Sequence, residues 1–137
     1  MTLPSRNEAQ SESQREAMRS CIEACNDCAV ECDRCAAACL GEDDVKMLAR
    51  CIALDLECAE LCRGAVILMS RGSERAAELC ALCADACEAC AEECERHEME
   101  HCRRCAKACR DCAQECRRMA SGVRKAAKPG RTERAAH

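Results

Sequence analysis

The sequence predicts an all-α protein, an antiparallel up-down-up-down four-helix bundle with a cysteine-lined core. The chain has 137 residues, a length that suits one domain. Within most of their clusters, its 19 cysteines follow one another in alternating steps of three and four residues. A strand would need steps of two, whereas this alternation is the a/d repeat of helices packed along a seam. Four such stripes separated by turn signals predict four helices joined by short turns.

The composition excludes an ordinary hydrophobic core. The chain has 26 alanines and no Phe, Trp or Tyr, and outside Cys and Ala it has 22 larger apolar side chains. Leu, Ile and Val together make up about 12% of the residues, below the ~20% under which a charged chain is usually disordered. Either the chain is unfolded, or its interior is built from cysteine and alanine and is held by something besides bulk hydrophobic burial.

The first predicted helix carries six cysteines. Ser13 to Glu16 form a capping box that marks its start, although Ser5 to Glu8 are an equally good earlier start. Gly41 ends the helix, and the acidic residues 42–44 favour the beginning of the next one. The stripe of this helix consists of Cys21, Cys25, Cys28, Cys32, Cys35 and Cys39.

The second predicted helix keeps the same register with fewer thiols. Eleven of the 22 larger apolar residues fall between Val45 and Met69, so we expect this helix to supply most of the conventional packing. The turn Arg71-Gly72-Ser73 follows, with Ser73 as the expected N-cap of the third helix. The stripe consists of Leu48, Cys51, Asp55, Cys58, Cys62, Ala65 and Met69.

The third and fourth helices are separated by a break that has no Gly or Pro. One helix from Ser73 to Ala120 would be ~70 Å long, too long for a compact domain, and the cysteine stripe slips by one residue after Cys94. We therefore place a tight break near residues 95–98 and end the fourth helix at Ser121-Gly122. The two stripes consist of Cys80, Cys83, Cys87, Cys90 and Cys94, and of Cys102, Cys105, Cys109, Cys112 and Cys116.

These signals divide the chain into three parts. Residues 1–12 form a flexible or partly helical N-terminus, residues 13–121 the four-helix bundle, and residues 122–137 a flexible basic tail. The net charge of −4 and the absence of aromatic side chains exclude nucleic acid as a partner. No apolar run approaches the ~20 residues that span a membrane, and the start lacks an export signal, so we expect a cytoplasmic protein with reduced thiols.

Thiols in this pattern indicate a metal site. The simplest alternative is that each Cys is a small buried hydrophobe, but 19 of them would leave a thin, oxidation-prone core. The chain has eight Cys-x-x-x-Cys pairs, and each can hold one ion between two sulfurs on one helix. Because thiolates select soft metals, we expect a continuous ladder of metal sites.

Charge favours Cu(I) over Zn(II). Buried thiolates need nearly one positive charge each, and Cu(I), which tolerates bridging sulfur, reaches neutrality at about one ion per Cys. Zn(II) with four ligands per ion would leave a buried charge of about −9. We expect many Cu(I) ions per chain, which means storage. Buffering of zinc or of another thiophilic metal is the alternative.

The chain resembles the bacterial copper storage proteins, in the cytosolic branch that lacks an export signal. The resemblance covers residues 13–120 and rests on the Cys-x-x-x-Cys-x-x-Cys stripes, the Cys-free N-terminus and the segment His97-x-x-x-His101-Cys102. It implies a homotetramer of four-helix bundles whose core cysteines sequester many Cu(I) ions. Asp55 departs from a pure Cys stripe.

Alternating helix directions place His97, Met99 and His101 at the same end as the Gly41 turn. We expect Cu(I) to enter and leave through this mouth, with the two histidines as ligands, because imidazole suits copper. The alternative is a pair of exposed polar residues at a turn, and Met99 is as readily a gap-filler as a ligand. The opposite end gathers an apolar plug, Met18, Val66, Leu68, Met69 and Met119.

Asp55 has three alternative roles: a weak oxygen ligand, a base for a thiol, or a salt-bridged core residue. An enzyme is not expected, because the repetitive cysteines single out no nucleophile. The iron–sulfur run ending in Cys-Pro is absent too, and no DNA-reading element is present. A copper chaperone is the candidate partner for metal delivery.

Overall fold

A computed structural model describes the backbone of residues 12–126 and the side chains of residues 12–122. Over this part the chain forms four α-helices: α1, Glu12–Leu40; α2, Ala49–Ser70; α3, Ala76–Cys94; and α4, Glu100–Ala126. A 3-10 helix, Val45–Leu48, leads into α2. Within the described residues there is no strand, which confirms the predicted fold class.

The four helices form an antiparallel square. Each packs against two neighbours, so that α1 contacts α2 and α4, and α3 contacts α2 and α4. Helices on the diagonal meet through sulfur, as Cys28 of α1 and Cys87 of α3 do at 3.9 Å. Alanines such as Ala84 and Ala91 are fully buried beside the thiols and allow the helices to approach one another closely. Cysteine and alanine therefore fill the core, as the composition predicts.

The turns follow most of the predicted signals. α1 ends at Leu40, directly before Gly41, and the segment between Cys94 and Glu100 is not helical, which confirms the predicted break. α2 ends in a Schellman motif, in which the Ser73 N–H donates to the Leu68 carbonyl at 2.9 Å and the Gly72 N–H to Met69 at 3.1 Å. Gly72 supplies the left-handed conformation, with φ of 67°.

The sequence predicts Ser73 as the N-cap of the third helix, but Ser73 does not directly precede that helix. Its hydroxyl accepts a hydrogen bond from the Arg75 N–H at 3.1 Å, which is the contact expected of an N-cap. However, residues 74 and 75 form a turn and α3 begins at Ala76. Ser73 therefore caps a turn that leads into the helix.

Both ends of the bundle differ from the prediction. α1 already includes Glu12 and Ser13, so it begins before the capping box at residues 13–16; the alternative start at residues 5–8 lies outside the described residues. α4 continues through Ser121 and Gly122 to Ala126, because an exposed glycine costs a helix only about 1 kcal/mol. The remainder of the predicted terminal segments lies outside the described residues.

The segment from Val45 to Met69 supplies most of the conventional packing against the core, as the sequence predicts. The stripe residues Leu48 and Met69 are buried. Residues such as Leu54 and Leu61 are partly buried against the core, whereas Leu56 remains 49% exposed. Apolar side chains therefore surround α2 on all sides, and some of them face away from the bundle.

Candidate metal centre

A column of sulfur atoms runs along the bundle axis. All 19 cysteines are free thiols, and none has any exposed surface. The 3,4 spacing turns each stripe inward on its helix, and the one-residue slip after Cys94 restores that orientation in α4. The structure brings together all the cysteines that the sequence predicted to share one face.

Neighbouring sulfurs in the column lie 3.5–4.0 Å apart. Examples are Cys25 to Cys116 at 3.5 Å and Cys28 to Cys109 at 3.6 Å. Four-thiol groups follow one another along the axis: Cys25, Cys62, Cys83 and Cys112; Cys28, Cys62, Cys87 and Cys112; Cys28, Cys32, Cys58 and Cys109; and Cys32, Cys90, Cys105 and Cys109. Several cysteines belong to two groups, so the sites share ligands.

This spacing matches metal coordination and is too long for a bond between sulfurs. A disulfide needs sulfurs ~2.05 Å apart. Two thiolates bound at about 2.3 Å to one tetrahedral ion lie about 3.8 Å apart. The sulfur column can therefore hold thiophilic ions with little movement of the helices, and shared sulfurs would bridge one ion to the next.

Burial favours the protonated form of the core thiols, whereas hydrogen bonds from neighbouring thiols lower the pKa of others, such as Cys51 and Cys62. Burial raises the pKa of Cys39 to about 11, and a hydrogen bond with Cys105, together with burial, raises that of Cys90 to about 12. Burial likewise raises the pKa of Cys102 well above its usual range. A metal ion that binds here must displace thiol protons, so the core stays neutral only if positive charge replaces those protons one for one.

Asp55 lies in the column where the cysteine stripe of α2 is interrupted. It is fully buried, and its Oδ1 accepts hydrogen bonds from Cys90 at 3.1 Å and from Cys105 at 3.2 Å. Cys94 lies 3.6 Å from the same oxygen. Burial, and after it the neighbouring Cys105 sulfur, raises the pKa of Asp55 to about 8.

The described side chains include no cation paired with Asp55, so the geometry disfavours the salt-bridged role among the three predicted. Its donors are four thiols from three helices, the fourth being Cys51, 3.9 Å from Oδ2. Asp55 thus places oxygen within the ligand column.

His101 reaches the sulfur column at one end. Its Nδ1 lies 3.6 Å from Cys35 and Cys102 and 3.8 Å from Cys39, and these four residues form a candidate metal site. The other ring nitrogen is buried without a hydrogen-bond partner among the described residues; it lies 3.6 Å from Glu42 Oε2. Nδ1 is therefore the nitrogen placed to bind metal.

His97 lies beside the same end but contacts a carboxylate. Its Nε2 is 3.0 Å from Glu93 Oε2, and Glu93 is itself buried. Arg50 and Arg96 also approach Glu93, at 3.4 and 3.9 Å. The role of Glu93 was not predicted from the sequence, although its i,i+4 spacing from His97 at the end of α3 could have indicated the pair.

The two ends of the column differ. Met99 packs in part against the core at the histidine end. At the other end Met69 is 1% exposed, and the partly buried Met18, Val66, Leu68 and Met119 pack against the core. The apolar plug predicted from the sequence therefore lies at that end.

Comparison with known proteins identifies the family. A family model described as copper storage protein matches residues 14–121. The chain belongs to the copper storage protein family. No helix in the described part of this family member is both long and apolar enough to traverse a lipid bilayer.

Solved structures of two bacterial copper storage proteins are similar to this chain. The Cu(I)-bound protein BsCsp3, from Bacillus subtilis, is 50% identical with a TM-score of 0.74, over 76% of this chain and 98% of that one. A cytosolic copper storage protein from Streptomyces lividans, solved with five coppers, is 41% identical with a TM-score of 0.78, over 81% and 98%. The latter protein, named Ccsp, has also been solved with ten copper equivalents.

A curated relative also matches part of the chain. The uncharacterized cysteine-rich protein YhjQ of Bacillus subtilis (strain 168) is 51% identical over 66 residues. That segment covers 48% of this copper storage family member and 61% of the relative, less than two thirds of its length.

Proposed function

We propose that this chain stores copper by binding many Cu(I) ions through its core thiolates. The observation that carries the proposal is the column of 19 buried thiols, in which sulfurs of neighbouring cysteines lie 3.5–4.0 Å apart, from Cys25 and Cys116 at 3.5 Å to Cys90 and Cys105 at 4.0 Å. The family match and the copper-loaded relatives support it. All 19 cysteines are ligands in this proposal, with His97, His101 and Asp55 as the additional ligand candidates.

Charge supports Cu(I) as the stored ion. A core of protonated thiols is neutral, and one Cu(I) per displaced proton keeps it neutral. Four-coordinate Zn(II) displaces four protons for two charges, and buried uncompensated charge is costly. Zinc buffering therefore remains the disfavoured alternative, although the sulfur spacing would fit zinc too.

The mouth is the end of the column at His101. Support comes from the contact of His101 Nδ1 with three thiols and from its 23% exposed side chain, which joins the buried sulfurs to the surface. His97 is the less direct ligand candidate, because Glu93 holds its Nε2 and leaves Nδ1 for a metal. A copper chaperone is the proposed donor at this end.

Other parts of the proposal rest on the relatives. A cytosolic location is supported by the relative from Streptomyces lividans, which is named as cytosolic. We propose a homo-oligomer, with the tetramer implied by the family resemblance. The repetitive thiols support storage without catalysis, because all of them are equally buried and none differs from the rest in exposure. The division at residues 12/13 and 121/122 into N-terminus, bundle and basic tail also stays a proposal.

An anaerobic titration tests the function. The fully reduced protein is titrated with Cu(I) against a competing chelator of known affinity, with Zn(II) in a parallel series. We expect an endpoint well above ten Cu(I) per chain, because most thiols can be ligands. An endpoint of four to seven ions would favour zinc-type clusters, and a single tight site would overturn the storage proposal.

A further inference from the structure

Glu42 lies at the mouth, in the turn that follows α1. Its backbone N–H donates to the Cys39 carbonyl at 3.1 Å, so the turn is held against the end of the helix. Its side chain reaches toward α4, where Oε2 lies 3.6 Å from Nε2 of His101. The contact joins this turn to the histidine that lies against three core thiols.

The Nε2 atom of His101 needs a hydrogen-bond partner. It is buried and makes no hydrogen bond among the described residues, and a buried polar atom without a partner costs free energy. The distance of 3.6 Å to Oε2 of Glu42 is just beyond hydrogen-bond length. Because the Glu42 side chain is 37% exposed, it has room for the shift of about half an ångström that completes the bond.

The surroundings of the two ring nitrogens favour the same tautomer of His101. At Nε2, a lone pair would face the negative charge of Glu42, whereas an N–H faces an acceptor. At Nδ1, three sulfurs lie 3.6–3.8 Å away, and protonated thiols donate to a lone pair. The proton therefore belongs on Nε2, and Nδ1 keeps the lone pair that a metal ion needs. The three sulfurs are those of Cys35, Cys39 and Cys102.

We propose that Glu42 is the positioning residue of His101, which holds the proton on Nε2 and directs Nδ1 to the mouth thiols. A carboxylate behind a metal-binding histidine fixes its tautomer and ring orientation and makes it a more basic ligand. Glu93 makes the corresponding contact with Nε2 of His97, at 3.0 Å. The metal-binding part of this role rests on the proposed storage of Cu(I), whereas the position of the proton does not.

Nitrogen-15 NMR of the full-length, reduced, metal-free protein tests the position of the proton. Two-bond correlation spectra at pH 8, where an ordinary imidazole is neutral, distinguish the tautomers, and His101→Ala assigns the signals. We expect the proton on Nε2 of His101 in the wild type and a mixture of both tautomers in Glu42→Ala. Asp43→Asn, which removes the same charge from the same turn at an exposed position, is the matched control. Any other tautomer in the wild type, or an unchanged one in Glu42→Ala, would overturn the inference.

Transfer of Cu(I) from the loaded protein to a chelator tests what the contact does. Loss of such an outer partner typically costs 10–100-fold, so we expect transfer to slow about tenfold in Glu42→Ala, less in Glu42→Gln and not at all in Asp43→Asn. Because Glu42 acts through His101, Glu42→Ala should slow transfer no further in the His101→Ala background, and a further loss there would overturn the inference. Far-ultraviolet circular dichroism reports that each variant keeps its helices. A wild type that binds no Cu(I) would defeat the storage proposal and leave the NMR result standing.

Discussion

Asp55 shows how one substitution in a repeat changes the chemistry of its surroundings. The register of α2 predicts that position 55 faces the core, and the structure places its carboxyl among thiol donors from α2, α3 and α4. The sequence could predict the burial of Asp55 because the stripe fixes the direction of the side chain. It could not predict which thiols donate, since these come from other helices.

The raised pKa of Asp55 makes the stability of the empty protein depend on pH. Its pKa in the folded protein, about 8, lies above the ordinary value of 3.8, so the folded state binds more protons between these pH values. The contribution of Asp55 to the free energy of unfolding is complete below about pH 4 and is lost as the pH rises to about 8. Over this pH range Asp55 changes the free energy of unfolding by at most about 1.4 kcal/mol per pH unit.

Asp55→Asn should remove this pH dependence of the free energy of unfolding, because the amide does not titrate. Urea unfolding of the reduced, metal-free protein between pH 5 and pH 8 measures it, with the exposed Asp27→Asn as control. Parallel pH profiles for wild type and Asp55→Asn would show that Asp55 titrates normally.

The two histidines at the mouth should govern the rate of exchange and leave the capacity nearly intact. Replacing both His97 and His101 by Ala removes two candidate ligands at the surface, while all 19 thiols remain. We expect slower transfer of Cu(I) to a chelator, and His101→Ala alone should give most of the effect because its Nδ1 lies against three thiols. Unchanged transfer rates in the double variant would remove the mouth assignment.

At the scale of the helices, periodicity predicted the interior better than the ends. Every residue of the second stripe, from Leu48 in the 3-10 helix to Met69 in α2, is buried, because one repeat specifies one face. The predicted end of α4 at Ser121-Gly122 was wrong, because glycine is only disfavoured inside a helix and the helix can continue through it. The contact of Glu93 with Arg50 could not be predicted, since Arg50 comes from α2, whereas the spacing of Glu93 and His97 is visible in the sequence.

Two glycines with open surroundings should respond oppositely to alanine. A Cβ at Gly72 or at Gly122 would meet no atom within 4 Å, so backbone conformation alone decides the effect. Gly72 has φ of 67°, and Gly72→Ala should lower the free energy of unfolding by about 1–2 kcal/mol. Gly122 lies within α4, and Gly122→Ala should raise it by about 0.5–1 kcal/mol. Denaturant unfolding of both variants measures the difference, and equal signs would contradict these helix-end assignments.

For the whole molecule, composition and spacing together predicted the sulfur core. The shortage of large apolar residues showed that the core could not be conventional, and the 3,4 steps showed what replaces it. The packing role of α2 was predicted correctly, but a count of apolar residues does not tell which of them lie on the outer side of the helix. Leu56 and Ile67 lie on its outer side.

Bound copper should stabilise this core strongly. A ligand that binds the folded state alone adds RT ln(1 + [L]/Kd) to the free energy of unfolding, about 4 kcal/mol for a single site at a thousand times its Kd. Anaerobic calorimetry should therefore show the melting temperature rising by more than about 10 °C on Cu(I) loading. No rise with Cu(I) would count against thiolate storage in the core.

The two ends of the sulfur column differ, and this difference affects the order in which a loaded protein releases its copper ions. Met69 is buried with the plug at one end, and His101 contacts the thiols at the other. With a single opening, the ions behave as a stack: the last ion to arrive stands nearest the exit and leaves first. Copper bound beyond Asp55 would then be the slow reserve, retained until the outer sites have emptied.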